Sequence, residues 1–253
     1  MKRIACRWTV FYVASIAVLA AVYGTFHRKT LVLWPGASEI PRIYTDSREG
    51  GFSSAGFLES DSIVAISAVL NSGLYHPHAG IEFPLLGGLE SLSLSGVDFS
   101  DMDSVAIEFR ANADVALVLF TRDPAVSRPS DVLSFRPLRM DVPATRFYSE
   151  KRLPLSLLRP GELWLDMHGI DHDENLYLDD VLLVSVETGR GSLLGLPTEI
   201  EIRKLEFFGT NRVLIWICLV ILILVTVLYI RCMVKYGKKV AIPENAGRCV
   251  RKC

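Results

Sequence analysis

No cysteine stands between residues 7 and 217 of this 253-residue chain; all five, Cys6, Cys218, Cys232, Cys249 and Cys253, lie towards its two ends. That absence excludes a disulfide framework, a thiolate metal site and a cysteine nucleophile for the whole middle of the chain, so its apolar core alone must hold it. Two further stretches lack charge altogether. Trp8 to Phe26 runs 19 residues, and Val213 to Ile230 runs 18, without one Asp, Glu, Lys or Arg. At ~1.5 Å per helical residue they span roughly 27–29 Å, close to the ~30 Å of a bilayer's hydrocarbon core. The second run has no polar face, so as the buried helix of a globular domain it would need partners on every side, and a membrane span is the expected reading. The middle has no long amphipathic helical period, and this excludes a helical bundle. It also lacks the short signatures of nucleophile elbows, zinc proteases and phosphate-cradling loops. The sequence therefore predicts no enzyme.

What is present is a chain with two apolar ends. The expected organisation is a cytoplasmic N-terminus at 1–7, a transmembrane helix at 8–26, an extracytoplasmic domain at 27–211, a second transmembrane helix at 212–231 and a basic cytoplasmic tail at 232–253. Lys2, Arg3 and Arg7 before the first run also describe a secretory signal peptide, with Val18-Leu19-Ala20-Ala21 as its cleavage context. The apolar run continues through Val22, Tyr23 and Phe26, however, and this favours a retained anchor. Orientation follows from the basic residues. Residues 27–211 hold 16 Lys or Arg against 27 Asp or Glu, a net of −11, whereas Arg231 and everything after it carry a net of +6. Both termini are thus expected in the cytoplasm, with the chain in the inner (plasma) membrane and lipid as a partner. Lys235, Lys238 and Lys239 lie where each gains about 1 kcal/mol from anionic lipid.

The middle reads as short strands between turn signals. The candidates are Arg42–Asp46, Ser62–Asn71, Gly80–Leu85, Ser104–Arg110, Val115–Thr121, Thr145–Lys151, Glu162–Met167, Val181–Val186 and Thr198–Phe208, with Leu31 to Pro41 as a connector. This spacing argues for an all-β antiparallel sandwich between two transmembrane helices. Ala111-Asn112-Ala113-Asp114 reads as the turn of a hairpin between two of the strands. In the last strand Ile200 and Ile202 have one parity, while Leu205 and Phe207 have the other. A β-bulge at Arg203-Lys204 keeps all four inward.

The Tyr44-Thr45-Asp46 strand, Gly50-Gly51-Phe52-Ser53, Gly80-Ile81-Glu82-Phe83-Pro84-Leu85, Val97-Asp98-Phe99-Ser100 and the closing Ile200 to Gly209 segment together resemble the galactose-binding-like jelly rolls, among them carbohydrate-binding modules. The resemblance covers about residues 41–209. It implies a jelly-roll fold and a carbohydrate ligand, as in the extracytoplasmic sensor region of two-helix bacterial membrane regulators. A cytoplasmic output domain usually follows in those proteins; here 23 residues follow Ile230, so output is expected through a partner or a longer product.

Candidate ligand contacts are Tyr75 and Tyr148, whose rings have a flat apolar face and a polar tip, with Arg146 and Asp171 as hydroxyl partners. Tyr44 and Trp164 read as core aromatics. The acid-rich segment around Asp171, Asp173, Asn175 and Asp179 offers oxygens for a structural Ca²⁺. A solvated hairpin loop is the competing reading of the same segment, and no other cofactor is expected. His76-Pro77-His78 with His168 and His172 offers imidazoles of the kind that ligate transition metals, but nothing in the sequence brings the two pairs together, so no such site is expected. The leading expectation is a membrane-anchored extracytoplasmic sensor that binds a ligand and relays to a cytoplasmic partner. A scaffold that binds another envelope protein is a second reading. A cell-surface glycan hydrolase using Glu162 and Asp166 is a third. Nucleic acid is not expected as a partner, because the basic tail is too short to form a fold.

Overall fold

The computed structural model describes residues 2–36, 40–58, 63–85, 96–129, 131–171 and 173–240. They fall into two compact units, a β unit within Lys29–Gly209 and a helical unit drawn from the segments either side of it. The β unit is built from β1 (Arg28–Trp34), β2 (Arg42–Thr45), β3 (Ser54–Phe57), β4 (Val64–Val69), β5 (Ala79–Pro84), β6 (Met102–Ala111), β7 (Val115–Thr121), β8 (Arg136–Val142), β9 (Ser149–Pro154), β10 (Arg159–Pro160), β11 (Val181–Thr188) and β12 (Pro197–Thr210), with one short helix, α2 (Glu162–His168). They form two antiparallel six-stranded sheets. The first has the order β3-β4-β12-β6-β9 with β1 also paired to β12, and the second has the order β10-β8-β7-β11-β5-β2.

Alternation decides which side chains fill the space between the sheets. Ile66, Val105, Ile107, Phe109, Ile200, Ile202, Leu205 and Phe207 from the first sheet meet Ile81, Phe83, Leu117, Leu119, Leu138, Val184 and Val186 from the second. Phe99 packs edge to face on Phe207, with ring centroids 4.9 Å apart. The expected bulge is present: pairing of β12 with β6 shifts between Ile202 and Lys204. Ile200, Ile202, Leu205 and Phe207 are all fully buried as a result.

Four sequence expectations are corrected. Glu162–Met167 is not a strand but α2, preceded by Gly161 and closed by Gly169 in the left-handed region (φ 65°). Trp164 and His168 lie one helical turn apart there, with ring centroids at 4.4 Å. The segment between α2 and β11 is therefore not a hairpin loop. Residues 112–114 do not close a hairpin either, because β6 belongs to the first sheet and β7 to the second; the connection crosses the sandwich. The segment after the first apolar run is strand β1, with Leu33 buried and Leu31 and Trp34 packed on the core. β8 is a further strand beyond the expected set, in which Leu138, Met140 and Val142 alternate inward.

The helical unit comprises α1 (Lys2–Phe26) and α3 (Arg212–Val240). Within them Cys6–Phe26 and Arg212–Lys235 are long and apolar enough to cross a membrane. The two helices pack on each other through the stacked rings of Tyr12 and Tyr229, centroids 4.6 Å apart. Tyr12 Oη also lies 3.2 Å from Thr226 Oγ1. At the opposite end of the pair, Asn211 N–H donates to the His27 carbonyl at 2.8 Å, and Asn211 Oδ1 caps α3 by accepting from Leu214 N–H at 3.0 Å.

Candidate functional site: the outer face of the second sheet

In the second sheet the residues between the core positions point away from the sandwich. Strand register lines them up in two rows. One runs Tyr44, Gly80, Glu187, Ala116, Asp141; the other runs Arg42, Glu82, Ser185, Val118, Arg139 and Arg159. An outward face would ordinarily be solvated, yet Glu82, Ser185 and Glu187 are buried. Buried polar side chains of this kind need partners, and here they find one another.

Tyr44 Oη donates to Glu187 and lies 3.4 Å from Ser185 Oγ. Gly80 stands between Tyr44 and Glu187 in the row and leaves the gap that the tyrosine crosses. A Cβ on Gly80 would come within 2.7 Å of Glu187 Cα and 2.5 Å of the Val186 carbonyl oxygen. The other oxygen of Glu187 accepts from Arg139, whose Nε lies 3.3 Å from Asp141; Arg190 reaches the same Asp141 at 3.2 Å. Arg48 grips Glu82 with two nitrogens at 2.7 and 3.3 Å. Burial, with the Glu187 carboxylate next in effect, pushes the Tyr44 phenol well above its ordinary pKa. The phenol therefore stays protonated and its donation is permanent at neutral pH.

A turn in the sequence delivers Arg48 to this face. Asp46 is wholly buried; its carboxylate accepts from Ser53 N–H at 2.9 Å and Ser53 Oγ–H at 2.8 Å. Gly50 takes φ 91°, and Gly51 leaves room for the Asp46 carboxylate that any side chain would strike. The Asp46 to Ser53 motif is thus a locked corner that holds Arg48 over Glu82. On this face Arg48, Arg139 and Arg190 are paired with Glu82, Glu187 and Asp141, and the second row also carries Arg42 and Arg159. Side chains already fixed by such pairs lose little entropy when they bind a ligand.

The predicted contacts are dispersed. Tyr75 is 88% exposed in the loop between β4 and β5, and Asp171 is exposed after α2. Tyr148 and Arg146 lie on the other sheet, beside an open groove of about 380 Å³ lined by Arg110, Ala111, Asn112, Arg146, Glu199 and Glu201. The Tyr148 ring is already covered: the Arg203 guanidinium sits 3.4 Å from its centroid, and its hydroxyl donates to Glu201. Of the residues proposed for Ca²⁺, Asp173 binds Arg136 at 2.6 Å and accepts from Asn175 N–H at 2.9 Å. Among the described residues no three His, Cys, Asp or Glu side chains converge as a metal cluster. His78 pairs with Glu49 at 3.5 Å and His168 with the Trp164 carbonyl at 2.8 Å; His172 lies outside the described residues. Glu162 and Asp166 stand one turn apart on the exposed side of α2.

The sequence reading missed Glu82, Ser185, Glu187, Arg139 and Arg48, and assigned Tyr44 to the core. A signal was available. Ser185 and Glu187 alternate within an otherwise apolar strand and Glu82 interrupts another, so a polar side chain recurs where burial is expected on both faces.

The architecture has solved counterparts. The family 11 carbohydrate-binding module of a cellulosomal cellulase of Clostridium thermocellum superposes with a TM-score of 0.50 at 13% identity, over 72% of this chain and 94% of that one. The β unit has the jelly-roll fold of such modules. The same family 11 module in complex with a β-1,3-1,4-mixed-linked tetrasaccharide gives 0.48 at 14% identity over 72% and 96%. A family 30 carbohydrate-binding module gives 0.42 at 9% identity over 72% and 99%. Neither a protein-family model nor a curated protein matches the sequence.

Proposed function

We propose that this chain is a membrane-tethered carbohydrate-binding protein, in which the outer face of the second sheet holds a neutral oligosaccharide without turning it over. The observation that carries the reading is the recessed row Tyr44, Gly80, Glu187 with Ser185, Arg139 and the Arg48–Glu82 pair alongside. Sugar hydroxyls both donate and accept, and this face presents fixed donors and acceptors in alternation. Arg48, Arg139 and Arg190 are each held by an anion, so these side chains meet a ligand as fixed hydrogen-bonding groups. The jelly-roll likeness supports the same ligand class.

In this reading α1 and α3 cross the plasma membrane, both termini face the cytoplasm and the acidic β unit lies outside. β12 continues through Asn211 into α3, and this continuity supports a relay to a cytoplasmic partner. A ligand drives such a relay only through unequal affinity for two states of the chain. The test is a thermal-shift screen of the detergent-solubilised full chain against neutral oligosaccharides. A stabilising sugar that loses its effect in both Glu187→Gln and Tyr44→Phe supports the proposal. A stabilising sugar indifferent to both variants, or no stabilising sugar at all, overturns it and favours a protein scaffold.

A further inference from the structure

The groove on the outer face of the first sheet is separate from the surface just described. Its lining brings together Arg110 and Ala111 from the end of β6, Asn112 just beyond, Glu199 and Glu201 from β12, and Arg146 from the segment leading into β9. Asn112 fixes the floor. Its Oδ1 accepts from Glu199 N–H at 2.9 Å, and its Nδ2 donates to the Pro197 carbonyl at 3.1 Å. Glu201 is fully engaged: one oxygen accepts from Arg110 and the other from Tyr148 Oη. Burial would raise its pKa, but those two donors hold it below the ordinary carboxylate value, so it stays ionised. Glu199 also acts on Arg110.

Arg146 is different. It is exposed and makes no ion pair or hydrogen bond among the described residues. A guanidinium presents a planar fork that matches a carboxylate through two parallel N–H···O bonds. Phe147, next in sequence, is 83% exposed. The groove thus combines one unmatched planar cation with a carboxylate, Glu199, that accepts hydroxyl donors.

We propose that this groove is a second binding site, specific for a carboxylate-bearing sugar such as a uronate, with Arg146 receiving the carboxylate and Glu199 a hydroxyl. The proposal does not rest on the neutral-sugar reading of the opposite sheet. At about 380 Å³ the groove accommodates one or two sugar residues.

The test titrates the full chain in detergent with tetragalacturonate by calorimetry. Wild-type protein should bind it, whereas Arg146→Gln should weaken it about tenfold or more with an unchanged thermal midpoint. Glu199→Gln, which retains an acceptor, should weaken it less. The carboxyl-reduced tetrasaccharide should be indifferent to Arg146→Gln. Absence of uronate binding, or binding that Arg146→Gln leaves intact, overturns the proposal.

Discussion

Arg136 and Asp173 are joined twice, side chain to side chain at 2.6 Å and guanidinium to backbone carbonyl at 2.7 Å. Arg136 is wholly buried, reaches Asp123 at 3.1 Å as well, and lies between the rings of Trp164 and Tyr177, 5.5 and 5.3 Å from their centroids. One side chain on β8 therefore ties together α2, the acidic segment after it and the loop that begins at Asp123. Arg136→Met leaves the buried Asp123 carboxylate without its cation. Breaking a buried pair from one side costs about 3–5 kcal/mol, so the thermal midpoint followed by tryptophan fluorescence should fall by roughly ten degrees. A midpoint within a degree or two of wild type would show that the arginine fills space without holding the segment.

The same pair sets an acid response. The hydrogen bond from Arg136, then that from Asn175 N–H, lowers the pKa of Asp173. A carboxylate whose folded pKa is depressed contributes stability that is complete above its unfolded value of about 3.9 and is lost as pH falls through the folded value. Denaturant midpoints measured from pH 6 downwards should therefore decline more steeply below about pH 4 in wild type than in Asp173→Asn. Parallel curves for the two proteins would remove Asp173 from the acid response.

How much of this was legible in the residues depends on what each feature needs from outside its own segment. The two uncharged helices and the bulge were legible because both follow from local counting: charge-free length in one case, a change of parity between Ile202 and Leu205 in the other. α2 was not. Leu163 and Leu165 alternate as a strand would, and the decisive facts are Gly161 and Gly169 at its ends and Trp164 reaching over to the Leu133 carbonyl at 3.2 Å. The polar face was legible only as an anomaly. Glu82 and Glu187 lie 105 positions apart and become neighbours through strand order, which no local pattern specifies.

Gly80 illustrates that dependence. Its only visible property in the sequence is a missing side chain within a strand, and its meaning comes from Tyr44 and Glu187 on either side of it. Gly80→Ala places a methyl group against Glu187 and the Val186 carbonyl. It should separate β5 from β11 and cost about 1–3 kcal/mol in thermal stability. It should also abolish any oligosaccharide response carried by the Tyr44–Glu187 pair. If the variant keeps both its midpoint and that response, the gap is not what seats the tyrosine.

The bulge in β12 permits a sharper experiment, because two single-residue deletions make opposite predictions. Removing Arg203 leaves Ile200, Ile202, Leu205 and Phe207 in strict alternation with Glu201, Lys204 and Glu206. The pairing of Ile202 with Phe109 and of Lys204 with Glu108 then becomes continuous. What is lost is the bulged side chain itself, which stacks on Tyr148 and reaches Glu108 at 3.7 Å. That deletion should keep the fold, with a change of about 1 kcal/mol, comparable to an exposed cation–π contact. Removing Glu206 instead brings Phe207 next to Leu205 and turns it to solvent, and reverses every residue that follows. Withdrawing one fully buried phenylalanine costs about 1.5–3 kcal/mol in transfer alone, before the cavity beside Phe99 is counted. Near-ultraviolet circular dichroism of the two deletion proteins should show native packing retained in the first and lost in the second. Equal damage from both would mean that the extra residue at Arg203 is needed for strand bending, and not merely accommodated by it.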